Sequence, residues 1–404
     1  MKKVPRLRFR GFQEDWELCK LGTLAEIVRG ASPRPIQDSK WFDNTSDVGW
    51  LRISDVTEQN GRIYKLEQKL SKAGQEKTRV LRKPHLLLSI AATVGKPVVN
   101  YVNTGVHDGF LIFLNPLFDR EFMFQWLEMF TPKWQKYGQP GSQLNLNSEL
   151  VRNQELRMPS TNEQEKIGML FQYLDDTITL HQRKLDQLKE LKKAYLQVMF
   201  PEKDERVPKL RFADFEKEWE QCKLGDLANI VGGGTPNTSN PKCWDGNIDW
   251  YAPAEIKEKI YVTGSKKRIT ELGLQKSSAK VLPIGTVLFT SRAGIGNTAI
   301  LAKEGTTNQG FQSIIPNKNK LDTYFIFSRT HELKKYGEAV GAGSTFVEVS
   351  GKQMEKMLML TPRFNEQQTI GMFFKKIDDI ITLHQNKLEQ LKELKKSYLQ
   401  NMFI

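Results

Sequence analysis

The chain has 404 residues, of which 39% are hydrophobic and 26% charged, with a net charge of +13; this composition suits folded material with more than one core and excludes a disordered chain. The opening MKKVPRLRFR carries no apolar stretch behind its charges, and the densest apolar run, Leu86–Val94, falls far short of a membrane span, so neither a secretory leader nor a transmembrane helix is expected and the expected location is the cytoplasm. The basic surplus is +7 in residues 1–203 and +6 in residues 204–404, and a surplus spread through the chain points to a polyanion such as DNA or RNA.

In chain order, two short motifs come first: VPRLRF at Val4–Phe9 and WELCKLG at Trp16–Gly22. Both return 203 residues later, as VPKLRF at Val207–Phe212 and WEQCKLG at Trp219–Gly225. Self-similarity at one fixed, domain-sized offset means a duplicated unit rather than a solenoid. Of the three cysteines, Cys19 and Cys222 share one repeated position and Cys243 stands alone. No paired metal or disulfide spacing results, and buried thiols are expected.

A first insert follows, with scattered landmarks: GASPRP (Gly30–Pro35), VGW (Val48–Trp50), SIAATVGKP (Ser89–Pro97) and HDGF (His107–Phe110). The second insert carries GGTPNT (Gly233–Thr238), IDW (Ile248–Trp250), SRAGIGNTA (Ser291–Ala299) and TNQGF (Thr307–Phe311). Short β-rich runs, Phe110–Leu114 and Lys280–Thr290, alternate with Gly and Pro turns. Phe122–Phe130 and Thr323–Lys335 read as helices. Gly232–Gly234 reads as a turn leading into a strand rather than a phosphate cradle.

After each insert comes a long helix. Thr161 or Asn162 offers the first a cap, and Asn365 the second, with glutamates in the first turn. Residues Leu174–Phe200 and Ile377–Phe403 differ at six of 27 positions. Phe171, Leu174, Ile178, His181, Leu185, Leu188, Tyr195 and Met199 fall at 3-4 spacing, and Phe374, Ile377, Ile381, His384, Leu388, Leu391, Tyr398 and Met402 repeat them. Such stripes bury against one another, which predicts an intramolecular coiled coil. Lys192 interrupts the seam. The runs Lys189–Lys193 and Lys392–Lys396 read as a solvated face or one covered by a partner protein. His181 and His384 read as half-buried polar positions that fix register. Residues 163–200 span at most about 57 Å as a helix, enough to hold two readers against DNA half-sites about 34–36 Å apart.

The frame text, IGMLFQYLDDTITLHQRKLDQLKELKKAYLQVMFP at Ile167–Pro201 with its second copy, resembles the specificity subunits of type I restriction–modification enzymes. The insert landmarks resemble the target-recognition domains of that family: the two Trp-x5-Gly openings, GGTP at Gly233–Pro236, SRAGIGNTAI at Ser291–Ile300, TNQGF, and GST at Gly343–Thr345. The resemblance covers essentially the whole chain. It implies an α+β fold with two pseudo-repeated target-recognition domains joined by two long antiparallel helices forming an intramolecular coiled coil. The expected segments are 1–15 (N-terminal frame), 16–158 (first recognition domain), 159–206 (central helical region), 207–361 (second recognition domain) and 362–404 (C-terminal helical region).

It further implies a non-catalytic chain that binds double-stranded DNA at a bipartite, asymmetric target. Two methyltransferase subunits and two restriction subunits are the implied partners, with no membrane. S-adenosylmethionine, ATP and magnesium are expected in those partners and no cofactor in this chain. Two readings of the residues agree: NPLF at Asn115–Phe118 lacks the second proline of an amino-methyltransferase site, and no Walker sequence exists. The alternative is a coiled-coil scaffold whose inserts bind proteins.

Residue types then select candidate DNA contacts. Arg292 suits a bidentate contact to guanine, and Asn308 and Gln309 carry the amide geometry that suits adenine. Ser344 and Thr345 bring small hydroxyls for phosphate contacts, and Thr235 is a further DNA-binding candidate of the second domain. In the first domain the corresponding candidates are Arg34, Lys96, Ser142 and Gln143. The candidates for the coiled coil and its partner surface are Ile178, His181, Leu185, Leu188 and Tyr195, with Ile381, His384, Leu388, Leu391 and Tyr398.

Overall fold

The computed structural model describes residues 4–137, 146–202, 204–257, 259–292, 294–342 and 348–404. The chain divides into two compact units, residues 1–183 with 386–404, and residues 184–385. The division falls inside the two long helices, Thr161–Val198 and Phe364–Met402. Each unit therefore owns the start of one long helix and the end of the other.

Both units are built on one plan. In the first, a five-stranded sheet runs in the order Glu26–Arg29, Phe110–Leu114, Leu86–Ser89, Pro97–Asn100, Arg62–Ile63, antiparallel throughout except for the last pair. In the second the order is Ala228–Gly232, Gln312–Pro316, Val287–Phe289, Thr298–Leu301, Tyr261–Val262, again with only the last pair parallel. A three-stranded sheet accompanies each, centred on Thr104–Val106 in the first unit and on Trp244–Tyr251 in the second. The central strand Leu86–Ser89 is buried along its whole length, as is Val287–Phe289. That is why these runs read as unbroken hydrophobic text instead of alternating.

The repeated motifs tie the frame to each insert. Glu17–Lys20 pairs antiparallel with Glu155–Met158, and Glu220–Lys223 pairs with Leu358–Thr361 in a register shifted by 203 at every position. The VPxLRF motif is a strap. Arg8 binds the fully buried Glu163 through two hydrogen bonds of 2.7 and 2.8 Å, and Arg211 binds Glu366 through two of 2.7 Å. Charge-assisted bidentate pairs of this kind fix geometry as well as adding energy. The same strap reaches the end of the other repeat's helix: the Leu7 amide donates to the Asn401 carbonyl, and the Leu210 amide to the Val198 carbonyl. Glutamine follows the buried glutamate, and Gln164 and Gln367 each accept from a backbone amide, of Asp119 and Asp322. Those two aspartates cap the helices Arg120–Trp134 and Thr323–Ser328. Gly168 and Gly371 let the long helices lie against these caps, since a Cβ at either would collide with the aspartate side chain.

Aromatic residues close each core. In the first unit Phe403 lies 5.3 Å from Phe122 and 5.8 Å from Phe171, with Trp16 edge-on to Phe122 at 6.0 Å. In the second, Phe200 lies 5.7 Å from Phe325, 5.9 Å from Phe374 and 6.0 Å from Trp219. The ring that seals each unit therefore comes from the other repeat. Within the first unit Phe171 meets Phe403 and Asp175 meets Lys395, so the two helices run antiparallel there. Within the second, Lys192 meets Asp378 and Tyr195 meets Phe373, with the same sense. Leu185, Leu188, Ile381, Leu388 and Leu391 are buried, while Ile178, His181, Tyr195, His384 and Tyr398 are half-buried.

The structure corrects several expectations. Lys192 does not merely interrupt the seam, and its run is not wholly solvated. Its ammonium donates to both carboxylate oxygens of buried Asp378, at 2.6 and 2.8 Å. Lys395, the repeat equivalent, bridges Asp175 and Glu128 at 2.7 Å each. Thr323–Lys335 is two helices, Thr323–Ser328 and Thr330–Gly341. The break falls at Arg329, which turns inward to donate to the Leu360 carbonyl and to Glu332. Gly232 ends a strand rather than leading into one. Cys243 is buried, but Cys19 and Cys222 are half-buried because each sits in a two-stranded ribbon with one open face. Among the described residues no helix is long and apolar enough to cross a membrane, and no cluster of three metal-ligating side chains occurs.

Candidate nucleic-acid interface

Three loops converge at the end of each five-stranded sheet. In the second unit the strand Ala228–Gly232 runs into Gly233–Thr235, and a Cβ on Gly233 would collide with the carbonyl of Asn308. The Gly234 amide donates to the Thr307 carbonyl at 2.9 Å, and the Trp250 indole donates to the Gly234 carbonyl at 2.8 Å. Close packing against Asn308 and Thr307 explains the glycine pair, and the tryptophan explains the IDW landmark. Thr235 is thereby set against Gln309, to whose side-chain oxygen its hydroxyl donates. Asn308 turns inward, its side-chain oxygen accepting from the Gly310 amide at 2.8 Å, while Gln309 is exposed.

Arg292 enters from the third loop. The amide of Ser291 donates to the Gly310 carbonyl at 2.8 Å, and the carbonyl of Ser291 accepts from Val349 at 3.0 Å. Arg292 is thus held beside Gly310, its side chain 37% exposed and its guanidinium 3.9 Å from Glu348. At that distance the pair is weak and solvent-screened, and among the described residues no closer partner holds the fork of N–H donors. The structure brings Thr235, Arg292, Asn308 and Gln309 together. Ser344 and Thr345, with Ser142 and Gln143 of the first unit, lie outside the described residues.

The first unit repeats this backbone with other side chains. A Cβ on Gly30 would collide with the His107 carbonyl, as Gly233 does with Asn308. The Gly109 amide donates to His107 Nδ1 at 2.8 Å, as Gly310 does to Asn308. Burial lowers the His107 pKa despite the neighbouring Asp108 carboxylate, so the ring is neutral and its Nδ1 can accept. Ser32 stands where Thr235 stands, and its hydroxyl donates to Asp108 Oδ1 at 2.7 Å. Arg34, 75% exposed, donates to Asp108 Oδ2 at 2.9 Å. Burial pushes the Asp108 pKa up, but the Ser32 hydroxyl and the Arg34 guanidinium together hold it below the usual carboxylate range. Asp108, which the sequence reading did not single out, therefore occupies the place of Gln309.

The third loop is registered by backbone hydrogen bonds. Ile90 donates to Gly109 as Ser291 does to Gly310, and Ser89 donates to Lys96 as Thr290 does to Asn297. Ser89 is thus the equivalent of Thr290, not of Ser291. The position of Arg292 is filled in the first unit by Ala91, and half-buried Lys96 takes the place of Asn297. Arg34 and Arg292 thus come from different loops of the two tips.

Comparison with known proteins agrees with this architecture. The family model described as type I restriction modification DNA specificity domain matches the chain twice, at residues 13–190 and 216–393. The type I restriction enzyme MjaIX specificity subunit of Methanocaldococcus jannaschii is 34% identical over 191 residues, covering 46% of this chain and 44% of the relative. The EcoR124I/EcoR124II specificity subunit of Escherichia coli is 28% identical over 179 residues, covering 42% and 43%. The chain thus spans somewhat under half the length of these two curated relatives. A crystal structure of a type I restriction–modification S subunit from M. genitalium superposes with a TM-score of 0.69, covering 99% of both chains at 13% identity, which is a likeness of fold. With the model matching both repeats and most of the chain, this protein belongs to the type I restriction–modification DNA specificity family.

Proposed function

We propose that this chain is the DNA-recognition subunit of a type I restriction–modification complex and reads a bipartite, asymmetric target, one part with each unit. The observation that carries this reading is the pair of tips: one backbone, presented twice, with different base-reading chemistry on each. Matching backbone frames with Ser32, Arg34 and Asp108 on one side and Thr235, Arg292 and Gln309 on the other suit two different half-sites. Segments 16–158 and 207–361 are the proposed reading modules.

The chain's role is positioning, without a catalytic centre of its own. Methylation of adenine and restriction belong to two methyltransferase and two restriction subunits, which carry S-adenosylmethionine, ATP and magnesium. The long helices supply support for repeated docking. Met169, Leu180 and Leu191 are exposed, and so are Met372, Leu383 and Leu394, the same positions 203 residues on. Apolar side chains held in solvent at duplicated positions suit two copies of one partner.

In the assembled complex, Arg292→Ala is expected to relax one base pair of one half-site by about 1–3 kcal/mol, leaving the other half-site unchanged. Methylation rates on duplexes varied at each position measure this. Simultaneous loss of both halves contradicts modular reading. Binding that shows little dependence on salt favours instead a scaffold with protein-binding inserts.

A further inference from the structure

The first unit holds a carboxylate at its tip, where a surface facing DNA would ordinarily avoid one. Asp108 is bound by the Ser32 hydroxyl at 2.7 Å and by the Arg34 guanidinium at 2.9 Å, and the Arg29 side chain donates to its backbone carbonyl at 2.6 Å. Three donors from one loop and strand fix its position. The side chain remains 37% exposed, and that of Arg34 is more exposed still. A negative charge approaching phosphates is repelled, so an acidic group built this firmly into the tip needs a donor on the DNA.

The major-groove edges of the bases decide which donor. Guanine offers two acceptors, thymine an acceptor and a methyl group, adenine a donor beside an acceptor, and cytosine a donor alone. An acceptor-only carboxylate matches cytosine and is repelled by guanine. The guanidinium at 2.9 Å keeps further N–H donors that suit the N7 and O6 of the guanine paired with that cytosine. We infer that Asp108 is a specificity-determining residue of the first unit, and that the Asp108–Arg34 pair reads a single C·G base pair through cytosine N4 and the guanine edge. The inference rests on the reading of this chain as a DNA-recognition subunit. In the second unit the equivalent position holds Gln309, whose amide suits adenine, with Thr235 in the place of Ser32.

The test uses the complete complex with its methyltransferase subunits and duplexes carrying each base pair in turn at every position of both half-sites. The unaltered chain is expected to prefer C·G at one position of one half-site by roughly 5- to 150-fold. Asp108→Gln, which installs the residue already carried by the equivalent loop, is expected to move that preference to A·T. Arg34→Lys keeps the charge but loses the fork, and is expected to reduce discrimination at the same base pair. In both variants the other half-site should be read as before, which reports an intact complex. Unchanged preference at every position in both variants overturns the inference, as does an equal loss of rate on all sequences, which marks a purely structural role. If the unaltered complex modifies DNA with no two-part motif, the parent reading fails and this inference with it.

Discussion

Replacing Lys192 with alanine is expected to destabilise the second unit by about 3–5 kcal/mol, the usual cost of removing one partner from a buried ion pair. Asp378 is almost wholly buried, and its carboxylate oxygens receive the Lys192 ammonium and, at 2.8 Å, the Tyr324 hydroxyl. Without the lysine one negative charge stays buried with a single neutral donor. For a unit of this size the loss corresponds to a fall in melting temperature of roughly 6–20 °C. Calorimetry of the purified chain measures it. The cause is checked by a double variant: Lys192→Met with Asp378→Asn removes both charges while leaving Tyr324 an acceptor, and should recover most of the loss. If Lys192→Met alone is as stable as the double variant, the lysine acts by packing and the ion-pair account fails. The pair also gives the helices a register, since sliding either helix by one turn would leave the buried Asp378 carboxylate without its ammonium.

Phe403→Ala is expected to loosen the first unit, although the residue belongs to the second repeat. Removing a buried phenylalanine costs about 3–5 kcal/mol where the site cannot collapse. Phe403 is packed by Phe122 and Phe171, both fully buried on different helices, so collapse there is restricted. Hydrogen exchange by mass spectrometry should show faster exchange in Arg120–Trp134 and little change in Thr323–Ser328. Phe200→Ala should do the reverse. Equal loosening of both units by either substitution contradicts the exchange of helix ends.

Much of this architecture was legible in the text. The constant offset named the duplication, the 3-4 stripe named the helices, and the glycine-rich landmarks marked the loops that converge at each tip. The exchange of helix ends was not legible, because two nearly identical helices satisfy the same pattern whichever copy seals which unit. Lys192 looked like a flaw in the stripe because its partner lies 186 residues away. The correspondence of Arg292 with Ala91 was hidden by a coincidence: both loops contain a serine, and matching Ser89 to Ser291 displaces the register by one. Only the backbone hydrogen bonds align Ser89 with Thr290. Asp108 is not legible as a reader because acidic residues are ordinarily excluded from a DNA-facing surface, and its support by Ser32 and Arg34 appears only in three dimensions.

The central claim, that this chain directs modification to a split sequence, is tested most directly by a methylation map. The chain is expressed with its methyltransferase subunit in a host that lacks adenine methylation, and modified adenines are located by sequencing. A two-part motif with a fixed unspecified gap is expected, present with this chain and absent without it. No methylated motif despite a confirmed complex, or a continuous motif with no gap, would contradict it.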